Sequence, residues 1–178
     1  MKLQTISAVV AVFILIAGCG KKSDSSGASS LSAKEQPSAA GAATPVAQAA
    51  MTAWQQGDTN AAVGYFVAAD WSARPLFPAS SPLSLSEHQF MALPAADRQA
   101  KAQDIDQQLD LLKRLLAAVT QAGRDAAAKQ DAFTARKYFT SLKQCGEALD
   151  NPESSAIVKL VGQRLKKNAD NELATLGQ

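Results

Sequence analysis

Residues 102–126 of this 178-residue chain read AQDIDQQLDLLKRLLAAVTQAGRDA. Apolar residues recur in this stretch at alternating steps of three and four, the spacing that places side chains on one face of an α-helix. They are Ala102, Ile105, Leu109, Leu112, Leu116, Val119, Gly123 and Ala126. The pattern predicts a helix over residues 97–128 with one buried face. It leaves open whether that face packs within the chain or, as in a coiled coil, against a second copy.

Two more helices are expected after this one. A second apolar seam follows Asp131, and its members are Ala132, Ala135, Phe139, Leu142, Gly146 and Leu149. Asn151 is predicted to cap a last helix, because an N-cap side chain accepts a hydrogen bond from a free backbone N–H group in the first turn. Pro152 is expected at the first position of that helix, where its lack of an N–H group leaves no donor unsatisfied. The predicted buried side of that helix is Ile157, Leu160, Val161, Leu165, Ala169, Leu173 and Leu176.

A short helical hairpin is expected at the start of the folded region. Thr44-Pro45 is a favourable helix start, and Gly57-Asp58 interrupts the pattern so that Asp58 or Thr59 can cap a second helix. The predicted apolar faces are Val46, Ala49, Ala50, Ala53 and Trp54 in the first helix, and Ala62, Val63, Phe66 and Ala69 in the second.

Residues 71–94 contain four of the chain's seven prolines, a density that excludes a long helix or a central strand. We expect an extended connection. Ser84 and Glu87 have capping-box spacing, which predicts a short helix over residues 86–92. That helix presents Phe90 and Met91.

The connection also carries large apolar side chains, namely Trp71, Phe77 and Phe90. On a connection such residues either pack on the helices, as we expect here, or form a contact surface. No stretch of the chain alternates apolar and polar residues between turn signals, as strands do. The expected fold is therefore all-α, with helical hairpins over residues 45–178.

The first hairpin has a recognisable spacing. Ala50 is followed seven residues later by Gly57-Asp58, and then at steps of five, four and three by Ala62, Phe66 and Ala69. This resembles the tetratricopeptide repeat, although Pro75 falls one residue later than that family's usual proline. A poorer second copy, 73 residues on and without the proline, is Gly123, Gln130-Asp131, Ala135, Phe139 and Leu142. The resemblance implies closely packed hairpins of a protein-binding kind; generic hairpin packing is the alternative.

The beginning of the sequence has the pattern of an export signal. Lys2 precedes an apolar run over residues 6–18, which is shorter than the roughly 20 residues a spanning helix needs. The run ends in Ile16-Ala17-Gly18-Cys19, which resembles the lipobox of bacterial lipoproteins. The resemblance implies a signal peptide over residues 1–18 and acyl chains on Cys19 that anchor the chain in a membrane. An uncleaved signal anchor and an ordinary secreted protein are the alternatives.

The stretch over residues 19–44 is rich in Ser, Ala and Gly, and Leu31 is its only large aliphatic residue. Such a composition cannot bury enough apolar surface to offset the entropy of ordering, so we expect a disordered tether. Gly20, rather than Asp, follows the lipobox cysteine. By analogy with Gram-negative sorting, this favours the outer membrane, with the domain facing the periplasm.

No pattern for catalysis, cofactor binding or metal binding stands out. Cys145 is the only cysteine besides Cys19, and its place on the second seam favours a buried apolar role over a reactive thiol. His88 is the single histidine, so no zinc site or Cys-His pair can be assembled from the sequence. Three carboxylates share the polar face of the long helix, where solvated charge is expected: Asp104, Asp106 and Asp110. We therefore expect neither an enzyme nor a small-molecule substrate.

The overall charge is balanced. Eighteen Lys and Arg residues against 16 Asp and Glu residues give +2, which does not suggest a nucleic-acid-binding surface. The last predicted helix is locally basic through Lys159, Arg164, Lys166 and Lys167. Asp170 and Glu172 follow closely, so a solvated mixed face is expected.

The sequence thus favours a lipid-anchored envelope protein whose helical domain binds or scaffolds another protein, a role that helical hairpins often have. The alternative is an envelope structural protein that contacts cell wall or anionic lipid through its basic last helix. Neither the partner nor the oligomeric state can be read from the sequence.

Overall fold

Six α-helices and one 3-10 helix make up the computed structural model, which describes residues 44–177. In chain order they are α1 (Gln48–Gln55), α2 (Thr59–Ala68), the 3-10 helix (Pro82–Ser84), α3 (Glu87–Ala92), α4 (Ala95–Ala128), α5 (Ala132–Leu149) and α6 (Ala156–Thr175). These residues include no strand, so the all-α prediction is confirmed. The predicted signal peptide over residues 1–18 and the predicted tether up to residue 43 lie outside the described residues.

Helix α4 packs against four of the other elements, whereas α6 packs on α5. Its 34 residues correspond to a length of about 51 Å, and it contacts α1, α2, the 3-10 helix and α5. Seven of the eight predicted seam positions are buried, all but Ala102, and Leu115 is buried with them. The chain's own helices therefore cover the apolar face of α4.

The turns into α2 and α5 have the same geometry. Gly57 and Gln130 both have positive φ angles, 81° and 61°, and the N–H of the following residue donates to the carbonyl oxygen five residues back at 3.0 Å in each turn. The following residue, Asp58 or Asp131, then caps the new helix by accepting from the backbone N–H three residues on, at 2.9 and 3.0 Å. Of the two predicted candidates, Asp58 and Thr59, Asp58 is therefore the cap of α2.

Helices α5 and α6 cross at two glycines. A Cβ atom on Gly146 would lie 2.8 Å from the carbonyl oxygen of Gly162. A Cβ atom on Gly162 would lie 2.6 Å from the carbonyl oxygen of Gly146 and 2.7 Å from the backbone nitrogen of Asp150. All of these atoms belong to backbone, which cannot rotate away as a side chain can, so the crossing requires glycine at both positions.

The start of α1 differs from the prediction. The helix begins at Gln48 rather than at Thr44-Pro45, and its N-cap, Ala47, makes no side-chain hydrogen bond. The backbone N–H groups of Val46 and Ala47 instead donate to the carbonyl oxygens of residues 75 and 76, at 3.0 Å each. Pairing with the Pro-rich connection keeps this segment out of the helix.

The start of α6 and its buried side also differ from the prediction. Asn151 does not cap the helix: its side chain accepts from the backbone N–H of Glu153 at 2.9 Å and closes a turn, and α6 begins at Ala156. Ile157 and Leu160 were expected in the core, but they are 41% and 46% exposed. The buried residues are Val158, Gly162, Leu165 and Ala169, because contact at Gly162 fixes which side of α6 faces α5.

The capping box before α3 is shifted by two residues. Ser86, not Ser84, accepts from the backbone N–H of Gln89 at 3.1 Å, and the Gln89 side chain accepts from the Ser86 N–H at 2.9 Å. Phe90 is partly buried against the core, whereas Met91 is 56% exposed. Helix α3 therefore presents Met91 to solvent.

Candidate functional site

The Pro-rich connection over residues 71–94 is tied closely to the helices. The Trp71 ring lies 4.7 Å from the Phe66 ring between centroids, and its indole N–H donates to the Phe66 carbonyl oxygen at 3.1 Å. Phe77 is buried as well, and Phe90 is partly buried. These aromatic residues pack on the helices, as expected, and so hold the connection in place.

An open groove separates this connection from the turn between α5 and α6. We call it the connection groove, and its volume is about 710 Å³. Leu76, Phe77 and Leu83 contribute apolar side chains that are themselves almost fully buried. Arg74 and Glu153 are among the exposed residues that line it. The groove thus combines an apolar floor with a polar rim.

A second depression of about 630 Å³ adjoins the connection groove. Ser84, Pro152 and Glu153 line both, while the second depression adds residues 86–89, including His88. Together their linings include residues 74–77 and 83–84 of the connection and residues 86–89 at the start of α3. An extended surface of this kind can accommodate more than one side chain of a bound molecule.

Glu87 connects α3 to the start of α6. Its side-chain Oε2 accepts a hydrogen bond of 2.9 Å from the backbone N–H of Ala156, the first residue of α6, 69 positions along the chain. A carboxylate at a helix N-terminus is favoured by the helix dipole and satisfies a free N–H group. The contact holds α3 beside the start of α6 and so helps to set the width of the depression between them. The sequence pattern predicted a capping-box role for Glu87, and no local signal indicates its contact with α6.

Arg74 is one of the residues that line the groove. Its guanidinium Nη1 donates to the carbonyl oxygens of Trp71 at 3.3 Å and Ala73 at 2.9 Å. Those bonds fold the cation over its own turn. The Glu153 carboxylate lines the same groove and the Glu87 carboxylate lines the adjoining depression, so the surface carries charges of both signs.

The residues considered for chemistry lie apart from one another. Cys145 is completely buried on α5, and burial raises the pKa of its thiol well above the ordinary value, which keeps the thiol protonated and unreactive. His88 is exposed on α3. Within residues 44–177, no three side chains of His, Cys, Asp or Glu lie together in a way that could hold a metal ion.

The carboxylates on α4 are solvated, as expected. Asp104 pairs with Lys101 at 3.3 Å and Asp110 with Arg114 at 2.7 Å, each pair lying along the helix surface. Asp106 is exposed. Pairs of this exposed kind contribute little to stability, and nothing in their arrangement gathers them around a common point.

The fold and the groove together define an all-α domain of helical hairpins with an open surface beside its irregular connection. No protein-family model matches the chain, and no curated protein or solved structure shows significant similarity to it. None of the helices in the described residues is both long and apolar enough to cross a bilayer.

Proposed function

We propose that this chain is a lipid-anchored protein of the bacterial envelope whose helical domain binds another protein, and that the partner docks in the connection groove. The observation that carries the proposal is the groove itself, a solvent-open surface lined by apolar residues and by charged residues of both signs. A floor of Leu76, Phe77 and Leu83 suits apolar side chains of a partner, and Arg74 and Glu153 can fix its orientation through charge.

The likeness to tetratricopeptide hairpins supports a binding role. The two proposed copies place Ala62 and Phe66, and Ala135 and Phe139, in buried positions, and both hairpins use the same turn with an aspartate cap. Helical hairpins joined in this way commonly present surfaces to protein partners. The membrane part of the proposal depends on the lipobox resemblance at Cys19, which would keep the domain near the membrane surface.

Site-directed photo-crosslinking in living cells tests the groove. A photoreactive amino acid replaces Ser84 or Glu153, both exposed at the groove, and Gln107, exposed on α4, is the control position. We expect discrete adducts from Ser84 and Glu153 and none from Gln107. The substitution Ser84→Trp, which fills the groove, should remove the adduct formed from position 153, whereas Gln107→Trp should leave it. Adducts of equal strength from all three positions would contradict the proposal.

A further inference from the structure

The outward side of α6 carries a continuous line of exposed residues. Ile157, Leu160, Arg164, Lys167 and Asn171 follow one another at steps of three and four, so they lie along one side of the helix. We call this line the α6 stripe. Its length is about 21 Å, at about 1.5 Å of rise per residue. Ile157 and Leu160 are two of the large hydrophobic side chains that the described domain leaves exposed.

The acidic groups of α6 are turned away from this stripe. The Asp170 carboxylate pairs with Lys143 of α5 at 2.8 Å, and Glu172 accepts from the Arg124 Nε of α4 at 2.8 Å. Lys166, on the inner side, pairs with Asp150 at 3.2 Å. The sequence predicted a face of mixed charge, but the fold separates the charges, because the carboxylates of α6 pair with cations on neighbouring helices.

Two cations remain on the stripe. Arg164 and Lys167 are exposed, and no carboxylate among residues 44–177 lies within ion-pair distance of either. The stripe thus joins two aliphatic side chains to two cations with no acidic residue between them. An amphipathic helix surface of this composition is suited to the boundary between lipid headgroups and acyl chains.

We propose that the α6 stripe rests on an anionic lipid bilayer, with Ile157 and Leu160 at headgroup depth and Arg164 and Lys167 against lipid phosphates. The inference is independent of the proposed groove and of its partner. It rests on the lipid anchor of the proposed function, which would hold the domain near a membrane and raise the local concentration enough for a weak contact to form.

The charge and the size of the α6 stripe favour a lipid bilayer over a second copy of the chain or another protein. A second copy would bring two cationic stripes together, and like charges repel. A stripe one helix wide and about 21 Å long offers about 200 Å² at a helix diameter of about 10 Å, well below the roughly 800 Å² per partner of a stable protein interface. A bilayer needs neither shape complementarity nor that area, and each basic residue near an anionic surface adds attraction.

The test uses the full chain in vesicles of phosphatidylcholine, with or without phosphatidylglycerol. Leu160→Cys receives an environment-sensitive fluorophore, and quenchers on the lipid acyl chains report its depth. Cys145 is buried and should not be labelled. The parent chain is labelled in parallel to account for any label at Cys19. A reporter at exposed Gln107 on α4 serves as the position control.

We expect acyl-chain quenching at position 160 in the anionic vesicles only, and none at position 107. The double substitution Arg164→Gln/Lys167→Gln removes two basic residues, each of which adds attraction to an anionic surface. It should therefore lower the ratio of docked to undocked domain about 30-fold. The charge-matched control Lys113→Gln/Lys137→Gln, on exposed positions of α4 and α5, should leave it unchanged. Arg164→Lys/Lys167→Arg should keep docking.

Three results would overturn the proposal. These are equal quenching with and without phosphatidylglycerol, an equal loss in the charge-matched control, and quenching that appears only when a second protein is added. A failed crosslinking experiment at the connection groove would leave this proposal standing, because the two surfaces are tested by different positions.

Discussion

Alanine substitutions of the helical glycines separate backbone propensity from close packing. In an open helical position, alanine is more stable than glycine by about 1 kcal/mol because it loses less backbone entropy on folding. Gly64 in α2 has no atom within 4 Å of the place a Cβ would occupy. We therefore expect Gly64→Ala to stabilise the domain by about 0.5 to 1 kcal/mol.

Gly162→Ala should have the opposite effect. Its Cβ would lie 2.6 and 2.7 Å from backbone atoms of α5 and its C-terminal cap, so α5 and α6 must separate. Overpacking of this kind costs up to about 3 kcal/mol, and the gain in helix propensity returns about 1 kcal/mol, which leaves a net loss of about 2 kcal/mol. Gly123→Ala should cost less than Gly162→Ala, because its Cβ would meet side-chain atoms of Phe139 and Tyr138 rather than backbone atoms.

Urea denaturation followed by circular dichroism measures all three variants in one series. The free energy of unfolding should rise for Gly64→Ala, fall moderately for Gly123→Ala and fall most for Gly162→Ala. The m-value should stay constant, which shows that stability and not the extent of unfolding has changed. If Gly162→Ala were stabilised as much as Gly64→Ala, the close crossing of α5 and α6 would be refuted.

Three further predictions concern other parts of the chain. Gln130→Gly should raise the free energy of unfolding by about 1 kcal/mol, since Gln130 has the positive φ angle that Gly57 adopts in the other hairpin, and urea denaturation checks it. Leu112→Ala and Phe139→Ala, at buried positions, should each cost about 2 to 5 kcal/mol; a denaturation midpoint that moved with protein concentration would instead indicate a core shared between two copies. Cys19→Ser should lose metabolic fatty-acid label and be released from membranes, and equal labelling of both chains would count against the lipid anchor.

The long helices were predictable because their signal is local. The apolar residues of α4 and α5 repeat at helical spacing, and α4 extends only two residues beyond the predicted start, at Ala95. The turn before α2 was predictable for a related reason. Gly57 tolerates a positive φ angle and Asp58 offers a capping oxygen, and both are properties of the residues themselves.

The buried side of α6 was decided by tertiary contact. Ile157, Leu160 and Val158 all follow plausible helical spacings, so the sequence pattern admits more than one buried face. Contact between Gly162 and Gly146 selects the face that includes Val158 and leaves Ile157 and Leu160 in solvent. The same selection creates the α6 stripe, which no inspection of the basic residues alone would reveal.

The candidate groove has no local signal at all. Its lining comes from residues 74–77, 83–84 and 86–89 and from residues 151–154, and Glu87 accepts a hydrogen bond from a backbone group 69 positions away. The sequence by itself determined the all-α class and the hairpin turns, since these depend on neighbouring residues, and it is the basis of the lipid anchor proposed at Cys19. Only the tertiary structure decided which faces meet and where a groove opens, because those depend on how closely two backbones can approach.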